Sequence, residues 1–198
     1  DPLFDTRGMF YKEFPSDYRQ VRFFSLLIVQ KAPAEIKEIN LLEQQVSELI
    51  KNAIRHGNKM DYSRKVKVWA SFGTNHAHLI VADEGEGFRE LEDWNEFNRK
   101  RTECFEAQDL EELEKYFSYR SSDSTEEDGG NALFAAVEYW DGGVVFNEER
   151  NAVAVYKNFG EKKRPGIILS GECPGPGTVH EKELDYSASS LSYPHRRG

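Results

Sequence analysis

Residues 48–57 read E-L-I-K-N-A-I-R-H-G and follow L-L-E-Q-Q-V-S at 41–47. Leu42, Val46, Leu49 and Ala53 fall at helical spacing, so together they form a stripe that faces a core. Glu48 and Asn52 are four residues apart. On a helix they share one face, one turn from each other. A carboxylate and a carboxamide placed so, beside a buried stripe, can meet a metal and a phosphate from one wall of a pocket. A solvated polar face is the simpler reading of this helix by itself. The stretch that decides between them is D-E-G-E-G at 83–87.

That second stretch closes a hairpin. Residues 65–72 alternate Val66, Val68 and Ala70 against Lys65, Lys67 and Trp69, the pattern of a half-buried strand. Gly73-Thr74-Asn75 is a turn, and 77–82 is a second strand. Asp83-Glu84-Gly85-Glu86-Gly87-Phe88 cannot continue it. Asp83 therefore sits where a strand ends and glycines begin. There a carboxylate can accept a hydrogen bond from an exocyclic amine, which separates adenine from a base carrying a carbonyl at that place. Gly85 and Gly87 allow close backbone approach to a ligand and a hinge. Alone, 83–87 is an acidic turn.

Length and charge bound the rest. At 198 residues the chain reads as one domain with appendages, long enough to bury a core without staples. A net charge of −9 argues against nucleic acid as the main partner, but leaves room for a nucleotide held by a few amides and one metal. Cys104 and Cys173 give no framework, which fits a reducing compartment and a cytoplasmic location. The longest apolar run, 23–29, is too short to span a bilayer, so no membrane partner is expected. The chain does not begin with Met, so a preceding targeting or regulatory segment stays open.

Residues 1–17 form an extension with an edge strand at 9–14, and 18–30 read as a helix. A new element begins at Pro33, and helical spacing runs from 35 to 56 with a stop at Gly57-Asn58. Residues 89–119 read as a charged surface pair of helices, with apolar contacts at Leu91, Trp94, Phe97, Leu110, Leu113, Tyr116 and Phe117. Residues 120–130 have the composition of a mobile loop. Residues 131–140 form a helix with Leu133, Val137 and Trp140 on one side. Strands follow at 144–146 and 152–159. Beyond 160 the pattern stops, and the tail 161–198 reads as extended or disordered.

The order helix with E-x-x-x-N, hairpin ending in D-x-G-x-G, Gly-rich loop, helix and hairpin resembles the nucleotide-binding fold of the GHKL superfamily. V-S-E-L-I-K-N-A-I-R-H-G at 46–57 is most similar to the corresponding helix of the bacterial anti-sigma-factor serine kinases. The likeness covers about residues 18–159. It implies an α/β sandwich of two layers, a mostly antiparallel sheet with helices on one face, within an ATP-binding domain at 18–160 whose lid region, 89–130, is enlarged. It also implies roles. Asp83 would take the adenine amino group, Asn52 would ligate Mg²⁺, and Glu48 would act as general base. Gly130, Ala132 and Leu133 would supply backbone N–H groups to the phosphates.

Three departures accompany the likeness. Ala132 stands where a second lid glycine is expected, and alanine disfavours positive φ. The segment 89–128 is long and acidic, through Asp93, Glu96, Glu111, Glu112, Glu126 and Glu127. Residues 151–154 lack the threonine that many relatives place near adenine. The resemblance implies a Mg-ATP-dependent serine/threonine kinase acting on a small anti-anti-sigma-like protein. One alternative is an ATP-dependent module, weakly catalytic or non-catalytic, that sequesters a sigma factor or another regulator. Another is a detached histidine-kinase ATPase domain. Relatives bind ATP and ADP and are often homodimers, though nothing here specifies that interface. Lys51, Arg55 and His56 read as solvated or helix-capping residues and stay outside the expected site.

Overall fold

A computed structural model describes residues 1–120 and 132–160. The protein is mixed α/β. Five strands, β1 (Phe10–Pro15), β2 (Lys65–Phe72), β3 (His76–Ala82), β4 (Gly143–Phe146) and β5 (Ala152–Asn158), make one antiparallel sheet in the order β1-β2-β3-β5-β4. The alternation read from the sequence sets its two faces. Val66, Val68 and Ala70 of β2 join Leu79 and Val81 of β3, Val155 of β5 and Val144 of β4 in one apolar layer. Lys65, Lys67 and Trp69 point the other way. On that outer face a turn at Pro2–Phe4 packs over β3 and β5, and His78 Nε2 donates to the Leu3 carbonyl at 2.8 Å.

The helices cover the inner face. They are α1 (Val21–Val29), α2 (Ile39–Asn52), α3 (Leu91–Ala107), the single turn α4 (Leu110–Leu113) and α5 (Ala132–Tyr139). In α2 the predicted stripe is buried: Leu42, Val46, Leu49 and Ala53 join Ile50 in the core. α1 packs on α2 through Phe24 and Ile28 and through a polar link. Ser47 Oγ lies 2.7 Å from Ser25 Oγ, and Ser25 donates to the Val21 carbonyl at 2.8 Å. The link satisfies both buried hydroxyls.

Two expectations need correction. The helix expected from residue 35 starts at Ile39. Residues 33–38 turn instead, with Ile36 N–H bonded to the Pro33 carbonyl, and this drops the Ile36 side chain into the core. The segment expected as a surface helical pair is tied more deeply to the domain. Leu91 and Trp94 are each about 1% exposed, and the Trp94 ring packs on Phe134 at 5.1 Å. α3 therefore roofs the helical layer rather than riding on it. The loop at 121–130 and the tail at 161–198 lie outside the described residues. Trp94→Ala should cost about 3–5 kcal/mol of stability, as for other large core truncations, measured by urea denaturation. A loss below about 1 kcal/mol would return α3 to the surface.

Candidate functional site

The site grows from the way α2 ends. The α-helix stops at Asn52 and widens into one π-helical turn, Ala53–Gly57. Asn58 N–H bonds back five residues to the Ala53 carbonyl at 2.8 Å, and Met60 N–H reaches the Ile54 carbonyl at 2.9 Å. Single π turns are uncommon and tend to occur at functional sites. This one swings the Asn58 side chain inward, to 0% exposure. Asn58 Nδ2 donates to Ser16 Oγ at 2.9 Å and to the Lys65 carbonyl at 3.0 Å, while Oδ1 accepts from Glu84 N–H at 2.7 Å. Ser16 Oγ donates in turn to the Arg64 carbonyl at 2.9 Å. One carboxamide thus joins the end of β1, the start of β2 and the loop after β3.

That joint brings the two sequence motifs into contact. A Cβ on Gly57 would stand 2.2 Å from the Asp83 carboxyl carbon, and one on Gly85 only 2.1 Å from the Gly57 carbonyl oxygen. No larger residue fits at either place without moving backbone or carboxylate. Gly87 has φ +86 and lies against the Glu149 carbonyl. The β4–β5 turn holds this loop from the other side. Asp83 N–H donates to the Asn151 carbonyl and Phe88 N–H to the Arg150 carbonyl, both at 2.9 Å. The Arg150 guanidinium forks onto the Glu92 carboxylate at the start of α3.

Between these walls lies a cavity of about 850 Å³. Of the residues expected in a site, Glu48, Asn52, Asp83, Gly87, Ala132 and Leu133 line it. Gly85 does not. Its role is the close approach to Gly57, so it shapes the wall from behind. Gly130 lies outside the described residues, as do Glu126 and Glu127. Leu49, Ala53, Val81, Val144 and Val153 supply apolar lining.

Asp83 is the polar feature of that apolar part. Burial pushes its carboxyl up to about 6, against the opposing pull of the Gly85 N–H at 2.8 Å and the Arg64 charge. Glu48 has a different setting. Its Oε1 lies 2.7 Å from Lys51 Nζ, and both side chains are about one-third exposed.

Sequence reasoning missed the cations. Lys51, Arg55, Lys59, Arg64, Arg89 and Arg150 all line the cavity, together with His56 and the carboxylates Glu86 and Glu90, although the chain as a whole is acidic. The signal was present: Lys51 and Arg55 are four apart, on the helical row beside Glu48 and Asn52. Arg64 and Arg150 gave none, since only tertiary structure brings a strand entry and a distant turn to the same cavity. A cavity with several cations in its wall, apolar lining and one half-buried carboxylate suits a ligand with a flat heterocycle and an anionic tail. Among the described residues, no group of three or more His, Cys, Asp or Glu side chains gathers as a self-sufficient metal site.

Neither protein-family models nor curated proteins give a match to this chain. The geometry defines a mixed α/β protein with a five-stranded antiparallel sheet and a cation-lined cavity beyond the helix-facing layer of that sheet.

Two outcomes follow from the joint and its carboxylate. Asn58→Ala strands Glu84 N–H and the Lys65 carbonyl without a partner, so it should cost about 2–4 kcal/mol in urea denaturation. A cost within error of zero would show that the joint is not structural. For Asp83, the folded value of about 6 lies above the ordinary 3.8. The folded state therefore binds the extra proton, and the stability this group contributes is full below pH 3.8 and lost as pH rises through 6. Asp83→Asn escapes that loss. Its melting temperature should exceed wild type above pH 6, with the difference closing towards pH 4. A pH-independent difference would contradict the assignment.

Proposed function

We propose that the cavity binds Mg-ATP and that the protein is a GHKL-type regulatory serine/threonine kinase of the anti-sigma-factor kind. Its substrate would be a small anti-anti-sigma-like protein, and its site of action the cytoplasm. One observation carries this reading: Gly57 and Gly85 pack together so that Asp83 lines the same cavity as Asn52 and Glu48.

The residues fit the groups they would hold. Asp83 Oδ1 already accepts from Gly85 N–H, which leaves the second oxygen for an exocyclic amine. The apolar residues beside it suit a purine ring. Asn52 offers a carboxamide oxygen, a ligand of the kind Mg²⁺ takes when waters and phosphates complete its shell. Bound there, Mg²⁺ would neutralise charge on the phosphate oxygens. The cations in the cavity wall suit the phosphates themselves.

Within this reading the chain does three things. Asp83 selects the base. Asn52 and the cations fix the phosphates, which supplies most of the catalysis through position and charge. Glu48 accepts the proton of the attacking serine or threonine hydroxyl, while its oxygen bonds to the γ-phosphorus and ADP leaves. A second reading, a nucleotide-dependent module that sequesters a regulator without phosphoryl transfer, is favoured by Ala132 lining the cavity where a second glycine is expected.

Calorimetric titration of the full chain with Mg-ATP separates these ideas from an empty one. Wild type should bind, and Asn52→Ala should bind at least about tenfold more weakly, the loss of one charge-assisted contact. Glu48→Gln should keep Mg-ATP binding and lose transfer to the partner. Full transfer by Glu48→Gln would remove the base assignment. Absence of binding by wild type would remove the nucleotide reading.

A further inference from the structure

Lys51 lies one residue before Asn52 and was set aside in the sequence as a solvated side chain. In the structure it lines the cavity and binds Glu48, the candidate base, at 2.7 Å. Resting on the nucleotide reading, we infer that Lys51 is a phosphate-positioning residue that exchanges partners: it holds Glu48 in the empty cavity and transfers to the terminal phosphate when nucleotide arrives.

The chemistry favours that exchange. A lysine ammonium is a compact charge on a flexible stem, with three donors that reorient freely. Its pair with Glu48 spans one helical turn at about one-third exposure, so it is weak and easily broken. A polyphosphate carries more charge than a carboxylate and accepts several bonds at once. It also repels Glu48 while attracting Lys51, so both effects of its arrival drive the same rearrangement.

Two other cations of the cavity are committed elsewhere. Arg64 pairs with Asp61, and Arg150 pairs with Glu92, neither of which lines the cavity. Lys51 differs in that its carboxylate partner is itself at the reacting end. The exchange has a consequence for the reaction. Glu48 Oε1, held by the ammonium before nucleotide arrives, is released when phosphate takes Lys51, so the carboxylate then meets the acceptor hydroxyl without a neutralising cation. The base is thereby uncovered by the substrate it serves.

A thermodynamic cycle on the full chain tests this. Dissociation constants for Mg-ATP and adenosine are measured by calorimetry for wild type, Lys51→Met, Glu48→Gln and the double variant. Lys51→Met should weaken Mg-ATP about tenfold and leave adenosine unchanged, and Lys51→Arg should restore much of the loss. Glu48→Gln should tighten Mg-ATP several-fold, because Lys51 is no longer held back and a repelling carboxylate is gone, and only the smaller, repulsive part of this gain should survive in the Lys51→Met background. A gain of equal size there would be charge repulsion alone and would overturn the exchange. So would equal effects of Lys51→Met on Mg-ATP and adenosine. If wild type binds adenosine but not Mg-ATP, the phosphate role fails while the base pocket stands. If it binds neither, the nucleotide reading itself fails and takes this inference with it.

Discussion

The buried carboxamide of Asn58 is the interaction on which the rest of the site depends. Both of its N–H bonds and its oxygen are used, and each partner belongs to a different part of the chain. In a low-dielectric interior such bonds are strong, and breaking one leaves a costly orphan, so the arrangement is nearly all-or-none. With Asn58 turned inward, Gly57 lies against Asp83 and Gly85 against Gly57. The π turn at Ala53–Gly57 makes that orientation possible. An α-helical end at the same place would aim the side chain elsewhere.

Asp83 is a carboxylate that burial disfavours, on the wall of the cavity. A carboxylate half-removed from water, with a single backbone N–H to accept from, is an uncomfortable group in the free protein. Nothing in the fold requires it, since a carboxamide would satisfy Gly85 equally well. Residues that destabilise the free protein yet line a cavity are the ones expected to be explained by a ligand. The cations in the cavity wall give the complementary half of that expectation, because they outnumber the carboxylates there in a chain whose net charge is −9.

Much of this was legible in the sequence, and the limits have physical reasons. The stripe through Leu42, Val46 and Leu49 and the alternation of Val66, Val68 and Ala70 are periodic, so local pattern reported them faithfully. The hairpin was read for the same reason, and the edge strand β1 from its aromatic residues. Asn58 was legible only as a helix stop, because its three partners are 7 to 42 residues away. The helix start was misplaced by four residues because Pro33 and Ile36 form a turn whose apolar spacing mimics a helix. Trp94 gave its character but not its burial, since a charged helix hides one inward ring among many outward carboxylates. Glu48, Asn52 and Asp83, singled out by motif, all line the one cavity. The cations were passed over because charge on a helix face is uninformative until a cavity is seen opposite it.

The central claim is that Asp83 reads an amino group on a purine held in this cavity. Parallel calorimetric titrations with Mg-ADP and Mg-inosine diphosphate test it most directly, since the two differ only in replacing the 6-amino group by a carbonyl, with the accompanying hydrogen on N1. The account predicts that Mg-ADP binds and that the inosine nucleotide binds at least about a hundredfold more weakly, as a buried acceptor facing a carbonyl would require. Equal binding of the two, or binding of neither, would contradict it.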